Sequence, residues 1–288
     1  MNDIKVMNHA ADNIRILAAS MVEKAKSGHP GGAMGGADFI NVLFSEFLVY
    51  DPEDPRWTGR DRFFLDPGHM SPMLYAGLCL RGYFTLDDLQ QFRQWGSPCP
   101  GHPELDVDHG IENSSGPLGQ GHAMAAGAAV AEKFLEARLG HTVMQHKIYA
   151  YISDGAVEEE ISQGVGRIAG NLGLNNLIMF YDSNDIQLST ECGVVMNEDT
   201  EMKYKSWGWK VIKIDGNDVQ QIRQALDSMP RAILIMIGFV MIPFKDFSRD
   251  SLSKPFASGP VKDRISTAAI LYRGTVPTII KGAMPEFP

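Results

Sequence analysis

The feature that most constrains the fold is a regular alternation of short apolar runs with longer amphipathic segments. The intervening segments have the length and the three- to four-residue apolar spacing of helices. Strands that alternate with helices form βαβ units, whose strands run parallel and are covered on both faces. The sequence therefore predicts an α/β fold with a mostly parallel, doubly wound sheet flanked by helices. Strands are expected at 62–65, 147–152, 177–181, 210–214 and 233–237.

The same periodicity locates the helices and the domain limits. Residues 3–26 form an amphipathic pattern, which the glycine-rich segment SGHPGGAMGG at 27–36 is expected to break. Residues 1–243 are assigned to one domain, and 244–288 to an atypical tail in which periodicity fades and prolines accumulate. Further helices are expected at 37–48, 71–81, 86–95, 158–172, 198–206 and 217–229, with one more that ends near 139.

Composition is that of a globular protein and argues against two classes of partner. The chain has 288 residues, of which 44% are hydrophobic and 21% charged. A net charge of −9 without a basic cluster argues against nucleic acid binding, which needs concentrated Lys and Arg. The longest apolar run, 232–242, is too short for a membrane helix, and the first residues lack an apolar signal core. Three widely spaced cysteines favour a reducing cytoplasm over a disulfide framework.

Two polar loops follow predicted strands. Asp154-Gly155 comes after one strand and Asn184 after the next. Ligands bind beyond the carboxyl ends of parallel strands, so both loops belong to the functional edge. A carboxylate and an amide oxygen are hard ligands that suit Mg²⁺ or Ca²⁺, and Mg²⁺ usually adds substrate phosphates to its shell. The pattern thus indicates a metal-bridged diphosphate, although an ordinary turn and a cap would explain it equally well.

The segment GPLGQG, 116–121, places three glycines before an alanine-rich helix. Free amides and the helix dipole at such a terminus favour anions. A glycine-rich turn that feeds a tightly packed helix is the alternative explanation.

Three histidines stand next to Pro or Gly, namely His29 in SGHPGG, His69 in PGHMS and His102 in PGHPE. Histidine can contact diphosphate oxygens, hydrogen-bond to sugar hydroxyls or transfer protons near neutral pH. A single histidine of this kind would more often be a structural loop residue. The acidic run Glu158-Glu159-Glu160 has a simpler explanation, because acidic residues at a helix start stabilise the helix dipole.

Six segments, taken in order, resemble the N-terminal diphosphate-binding region of transketolase, a thiamine-diphosphate enzyme. The resemblance runs from about residue 8 to residue 230 and implies a thiamine-diphosphate-binding domain of the diphosphate (PP) type. The segments are KAKSGHPGGAMGGADF, RDRFFLDPGHMS, FRQW…PGHPE, ENSSGPLGQGHAMAAGAAVAEK, ISDGAVEEEIS and LIMFYDSNDIQLS.

The resemblance implies thiamine diphosphate as cofactor, held by Mg²⁺ with Ca²⁺ or Mn²⁺ as substitutes. Asp154 and Asn184, with the backbone carbonyl of Ile186, correspond to the metal ligands. Gly155 corresponds to the amide donor to the diphosphate. The other implied cofactor contacts are His69, Gly116 and Leu118.

The resemblance also implies substrate contacts and a reaction. His29 and His102 correspond to histidines that contact the hydroxyls of the donor sugar, and Glu159 to a glutamate at the subunit interface. The reaction moves a two-carbon ketol unit from a ketose phosphate to an aldose phosphate in pentose phosphate interconversion, with the chemistry supplied by the cofactor.

Departures from the family pattern set the expectations for partners. Ser153 stands where the family usually has glycine, and the chain has less than half of a full transketolase. The pyrimidine-binding domain is expected on a partner, a C-terminal transketolase subunit, in a dimer or an α₂β₂ assembly. Residues 231–288 do not match the family, whose His-Gly-Ala-Pro loop is absent from them.

Three alternatives remain at this point. A 1-deoxyxylulose-5-phosphate synthase has the same cofactor and fold, but the segments SGHPGG, PGHPE and GPLGQG favour transketolase. The α-subunit of a dehydrogenase E1 component shares only the Asp-Gly…Asn signal. A non-catalytic or defective chain, truncated or frame-shifted at its C-terminus, would keep only a surface for a pyrimidine-domain partner.

Overall fold

The computed structural model describes residues 1–187, 190–228 and 234–239, the last range as backbone only. Its five strands form one sheet in the order β1-β2-β3-β5-β4, and each pairing in it is parallel. The predicted parallel α/β fold is therefore confirmed. The expected tail at 244–288 and the domain limit at 243 lie outside the described residues. The strands are β1 (Arg62–Leu65), β2 (Ile148–Ser153), β3 (Leu177–Asp182), β4 (Lys210–Asp215) and β5 (Leu234–Phe239).

Helices lie on both faces of this sheet. No helix in the described part of the chain is long and apolar enough to cross a membrane. A π-helical turn at Leu43–Phe47 and 3₁₀ turns at Gly68–Met70 and Val107–His109 complete the regular structure there. The helices are α1 (Ile4–Ala25), α2 (Pro30–Gly35), α3 (Ala37–Val42), α4 (Ser71–Leu80), α5 (Leu86–Gln90), α6 (Gln120–Leu139), α7 (Asp154–Glu158), α8 (Glu160–Leu172), α9 (Cys192–Val195), α10 (Thr200–Ser206) and α11 (Val219–Asp227).

Right-handed crossover connections between the parallel strands explain both the strand order and the face of the sheet on which each helix lies. From β1 through β2 and β3 to β4 the chain moves in one direction across the sheet, and then it returns to place β5 between β3 and β4. Buried residues of α6, α8 and α10 pack on one face, and those of α11 pack on the other. Reversing the direction while keeping right-handed crossovers requires this change of face.

Alternating side chains of the strands feed two separate apolar cores. Phe63 and Tyr151 belong to the core with α1, α3 and α4, whereas Phe64 and Ile152 belong to the core with α6. In the first core Phe39 stacks on Phe180, with ring centroids 4.1 Å apart. Burial of both faces explains why β2 and β3 are almost continuously apolar, as expected for the central strands of a parallel sheet, whereas β4 is largely exposed and carries two lysines.

The glycine-rich segment at 27–36 breaks the first helix as predicted, because α1 ends at Ala25, but most of the segment then forms the short helix α2, which was not predicted. Pro30 occupies the first helical position, where its fixed φ favours helix formation. A Cβ atom at Gly32 would lie 2.9 Å from Met70 Cε, and one at Gly36 would lie 2.6 Å from the Tyr151 hydroxyl oxygen. These two glycines therefore serve close packing of the helix against its neighbours rather than a turn.

Three predicted helices also differ in extent. The helix predicted at 37–48 changes to a π-helical turn at Leu43, and the one predicted at 86–95 ends at Gln90. Arg93, three residues later, has φ of 61°, which no α-helix accommodates. The helix predicted at 158–172 is divided, because Glu159 is extended between α7 and α8. Local apolar spacing does not reveal such breaks.

A buried carboxylate joins the segments that enter the sheet at its amino edge. Asp61 Oδ2 accepts a hydrogen bond from the backbone N–H of Val49 at 3.0 Å, and Oδ1 accepts one from that of Lys147 at 2.8 Å. Burial raises the pKa of Asp61 to about 6, because the charged form loses its hydration. The side chain thus connects the entries to β1 and β2 at the cost of burying a charge.

The substitution Asp61→Asn should make the free energy of unfolding less dependent on pH. The unfolded carboxyl titrates near 3.8 and the folded one near 6, so the stability that the neutral form contributes is lost as pH rises between these values. The mutant should gain roughly 2–3 kcal/mol relative to wild type between pH 4 and pH 7. Urea unfolding at both pH values measures this. The substitution Asp227→Asn at an exposed position is the control, and a difference between Asp61→Asn and wild type that stays constant with pH would contradict the prediction.

Candidate functional site

An aspartate stands at the carboxyl end of each of four strands. Asp66 follows β1, Asp154 follows β2, and Asp182 and Asp215 are the last residues of β3 and β4. Because these strands are parallel, the four aspartates lie along one edge of the sheet. This is the edge where ligands bind in open α/β sheets.

The two predicted polar loops meet at this edge. The backbone N–H of Asn184 donates to Asp154 Oδ2 at 3.1 Å, and the hydroxyl of Tyr181 donates to Asp154 Oδ1. Asn184 Oδ1 accepts from the backbone N–H of Ile186 at 3.1 Å, and the Ile186 side chain is exposed. Asp154, Asn184 and Ile186, predicted as metal ligands, therefore lie in adjoining loops.

This donor set fits a hard divalent cation. Asp154 is buried, and burial raises the pKa of its carboxyl. Within the described ranges no Lys, Arg or His nitrogen lies within 4.0 Å of its oxygens. A cation would relieve this uncompensated burial, and oxygen ligands suit Mg²⁺. Asp154 also lines a cavity of about 300 Å³, which gives an ion access.

The predicted metal ligands are one carboxylate, one amide oxygen and one backbone carbonyl rather than a cluster of acids. In the part of the chain that the structure describes, no group of three or more His, Cys, Asp or Glu side chains is arranged to hold a metal. A zinc-type site is therefore not found among those residues.

Two tyrosines cross between neighbouring strands at this edge. Tyr181 of β3 donates to Asp154 after β2, while Tyr151 of β2 donates to Asp182 of β3 at 2.9 Å. Burial raises the pKa of Asp182 to about 7. Sequence reasoning did not identify the role of either tyrosine. The only signal in the sequence is that an aromatic residue stands one to three positions before each aspartate.

The start of α6 differs from the anion-binding terminus that the sequence predicted. The carboxylate of Asp66 accepts the backbone N–H of Gly119 at 2.9 Å and of His122 at 2.8 Å. A Cβ atom at Gly121 would lie 2.5 Å from Asp66 Cα, so this close approach requires glycine. The protein's own carboxylate therefore occupies the helix terminus, and an external anion would have to bind elsewhere in the segment.

Gly116 and Leu118, predicted as cofactor contacts, lie beside the loops that follow β1 and β2. No atom lies within 4 Å of the Cβ position at Gly116. The Cβ position of Gly155 lies 3.1 Å from Leu118 Cδ1, so this leucine contacts the loop after β2. Glu159 is exposed, and its Cβ lies 3.0 Å from the Cβ position of Gly119.

The three histidines flanked by Pro or Gly form one cluster. The ring centroids of His29 and His69 are 4.9 Å apart, and His102 Cδ2 lies 2.8 Å from the Cβ position of Gly68. Burial lowers the pKa of His69 to about 4, and the neighbouring positive groups add to this shift. Burial also lowers the pKa of His102. At neutral pH His69 is therefore uncharged.

Arg93 is a further residue that sequence reasoning did not identify. Its guanidinium lies near His69 and His102 and contributes to lowering the pKa of both. Nη1 donates to Ser27 Oγ at 2.7 Å. Arg93 belongs to the segment FRQW that carries the family resemblance, but no local pattern indicates a role for it, because it lies in an irregular turn after α5.

Gly68→Ala should destabilise the protein by about 1–3 kcal/mol, because the new methyl group would overlap His102 and the fixed backbone nitrogen of Gly116. Gly31→Ala is the matched control, since no atom lies within 4 Å of its Cβ position and a small gain in stability is expected. Urea unfolding of both variants measures the difference. Equal free energies of unfolding in the two variants would contradict the prediction, because they would show that the loops around Gly68 move to admit the methyl group at no cost.

Comparison with known proteins gives one consistent result. The family described as "Transketolase, thiamine diphosphate binding domain" matches residues 6–237. The transketolase of Geobacillus stearothermophilus is 44% identical over 223 residues, and transketolase 1 of Escherichia coli K12 is 45% identical over 222. These alignments cover 76% and 75% of this chain but only 33% and 34% of the relatives. The chain thus spans about a third of their length.

Solved structures agree with the sequence relatives. The transketolase of Leishmania mexicana matches with a TM-score of 0.86 and 34% identity, over 93% of this chain and 44% of that one. The transketolase of Campylobacter jejuni matches with a TM-score of 0.81 and 36% identity, over 96% and 44%. Sequence and fold together show that the chain belongs to the transketolase thiamine diphosphate binding domain family.

Proposed function

We propose that this chain is the N-terminal subunit of a thiamine-diphosphate-dependent transketolase. It would transfer a two-carbon ketol unit from a ketose phosphate to an aldose phosphate in pentose phosphate interconversion. The observation that carries the proposal is the meeting of the Asp154 loop, Gly116 and the three histidines at one sheet edge in a member of this family.

The residues present fit the cofactor and its metal. Asp154, Asn184 and the carbonyl of Ile186 would hold Mg²⁺, for which Ca²⁺ or Mn²⁺ could substitute. When bound, thiamine diphosphate would supply the nucleophile and the electron acceptor that cleavage of a carbon–carbon bond next to a carbonyl requires. The backbone of Gly155 and the contacts His69, Gly116 and Leu118 would hold its diphosphate end.

Protonation states at the histidine cluster suit this task. His69 is neutral at pH 7, so it has one N–H to donate to a phosphate oxygen and adds no full charge beside the metal. Burial also lowers the pKa of His102, which favours the neutral form that can accept a proton or a hydroxyl hydrogen bond. His29 lies against His69, so the donor sugar would meet His29 and His102 next to the diphosphate.

The proposed enzyme needs a pyrimidine-binding domain from a partner polypeptide. The support is that the chain matches about a third of its relatives. We propose a C-terminal transketolase subunit as partner, in a dimer or α₂β₂ assembly in the cytoplasm. The exposed Glu159, beside the start of α6, would lie at the interface between subunits.

Asp154→Ala should abolish Mg²⁺-dependent binding of thiamine diphosphate. Groups that only support metal ligands contribute roughly 10–100-fold in affinity, so removing a ligand should weaken binding by about 100-fold or more. Titration calorimetry with Mg²⁺, and again with EDTA, measures this. Asp61→Ala is the matched control, because it also removes a buried carboxylate that accepts backbone N–H groups, but at the opposite edge. Unchanged binding by folded Asp154→Ala would overturn the site assignment.

Ketol transfer from xylulose 5-phosphate to ribose 5-phosphate should appear when the chain is mixed with its pyrimidine-domain partner, Mg²⁺ and thiamine diphosphate. Product formation by coupled assay measures this, with each polypeptide alone as control. A stable complex without turnover at saturating cofactor would instead identify a non-catalytic module.

A further inference from the structure

Arg93 connects the two segments that contain the outer histidines. Its guanidinium donates to Ser27 Oγ, two residues before His29. It also packs on Gly101, one residue before His102, where a Cβ atom would lie 3.0 Å from Arg93 Nε. The arginine therefore contacts both segments directly, and the glycine at 101 is what lets it lie flat against the backbone.

The backbone at Arg93 is in an uncommon conformation for a long side chain. Its φ of 61° lies in the left-handed region, which costs a non-glycine residue free energy. The backbone N–H of Arg93 donates to the carbonyl of Cys99 at 3.0 Å, which holds the turn closed. From this turn the guanidinium lies near both His69 and His102.

The charge of Arg93 has no acidic partner in the described structure. No Asp or Glu oxygen of the described residues lies within 4.0 Å of its nitrogens, and Nε is buried without a hydrogen-bond partner. An arginine that served stability alone would be expected to pair with a carboxylate. Here its side chain donates to the hydroxyl of Ser27, and its charge lies close enough to His69 to help lower the pKa of that histidine.

The two segments differ in how else they are held. Ser71 of α4 donates to the carbonyl of Gly101 at 2.8 Å, and Tyr75 donates to that of Pro100 at 2.9 Å. The segment of His102 is thus fixed to α4 without Arg93. The other segment is held on its far side by α2, which begins at Pro30 and packs on Met70 at Gly32, and the bond from Arg93 to Ser27 connects its near side to the fixed segment.

We infer that Arg93 is a positioning residue that holds the His29 segment against the fixed His102 segment, so that both histidines address the same sugar. The inference rests on the proposed function for the identity of that sugar. Arg93 acts through Ser27 and Gly101 rather than by contact with substrate.

The positional part can be tested on the chain alone by proton NMR. Cross-relaxation between the rings of His29 and His69 reports one segment, and that between His102 and Gly68 reports the other. In Arg93→Lys and Ser27→Ala the first signal should fall at least twofold while the second stays within experimental error. Ser27→Ala removes only an exposed hydroxyl, so it answers the question even where an Arg93 variant does not fold. Arg56→Gln, which removes an exposed arginine paired with Asp108, is the control.

The functional part uses the chain with its pyrimidine-domain partner. Ser27→Ala and Arg93→Lys should raise the KM for xylulose 5-phosphate at least fivefold and leave the Kd for thiamine diphosphate within twofold. A wild-type His29–His69 signal in both variants would overturn the inference, and so would an unchanged KM. Absence of turnover by the wild-type pair would count against the proposed function instead, and the NMR result would still decide the positional role.

Discussion

Carboxylates that are buried without a cation organise the functional edge of this sheet. Moving a charged carboxylate out of water is costly unless hydrogen bonds or an opposite charge compensate it. Asp66 is compensated by the backbone amides at the start of α6, and Asp182 by the hydroxyl of Tyr151. Asp154 accepts from a tyrosine hydroxyl and one amide, and burial raises its pKa as it raises those of Asp66 and Asp182. Asp154 differs from these two neighbours in its place, because it lies against the Asn184 loop and lines the cavity there, and this is why it is the proposed cation ligand.

Close approach at glycine brings the other groups to this edge. Gly121 lets the start of α6 contact the backbone of Asp66, and Gly68 lets His102 and the Gly116 loop meet after β1. Side chains at either position would push these loops apart. The position of the histidine cluster relative to the loops after β1 and β2 therefore depends on these close contacts at glycine as well as on polar contacts such as those of Asp66 and Ser71.

The strands and the loops that follow them could be predicted from the sequence, because both depend on patterns of neighbouring residues. Apolar runs of the right length predicted all five strands, and the capping box of Thr85 and Asp88 at the start of α5 is likewise formed by residues three positions apart. The helical state of the segment at 30–35 could not be predicted, since it depends on packing against Met70 and Tyr151. The cap that Asp66 gives α6 joins residues more than fifty positions apart, and the same holds for Arg93 and Ser27. Such contacts become visible only once the fold has brought the partners together.

The carboxyl edge of the sheet has two regions, or sectors, that differ in charge. The difference between them explains which kind of ligand this edge suits. On one side Asp154 and Asn184 present oxygens that favour a divalent cation. On the other side stand the neutral His69 and His102 with the unpaired charge of Arg93 behind them, and these favour anionic or hydroxyl oxygens. Gly116 and the Gly155–Leu118 contact lie near the boundary between the sectors and leave backbone accessible there. A ligand that carries a metal on one side of a diphosphate and polar hydroxyls beyond it would satisfy both sectors, whereas a free metal or a free sugar would satisfy only one.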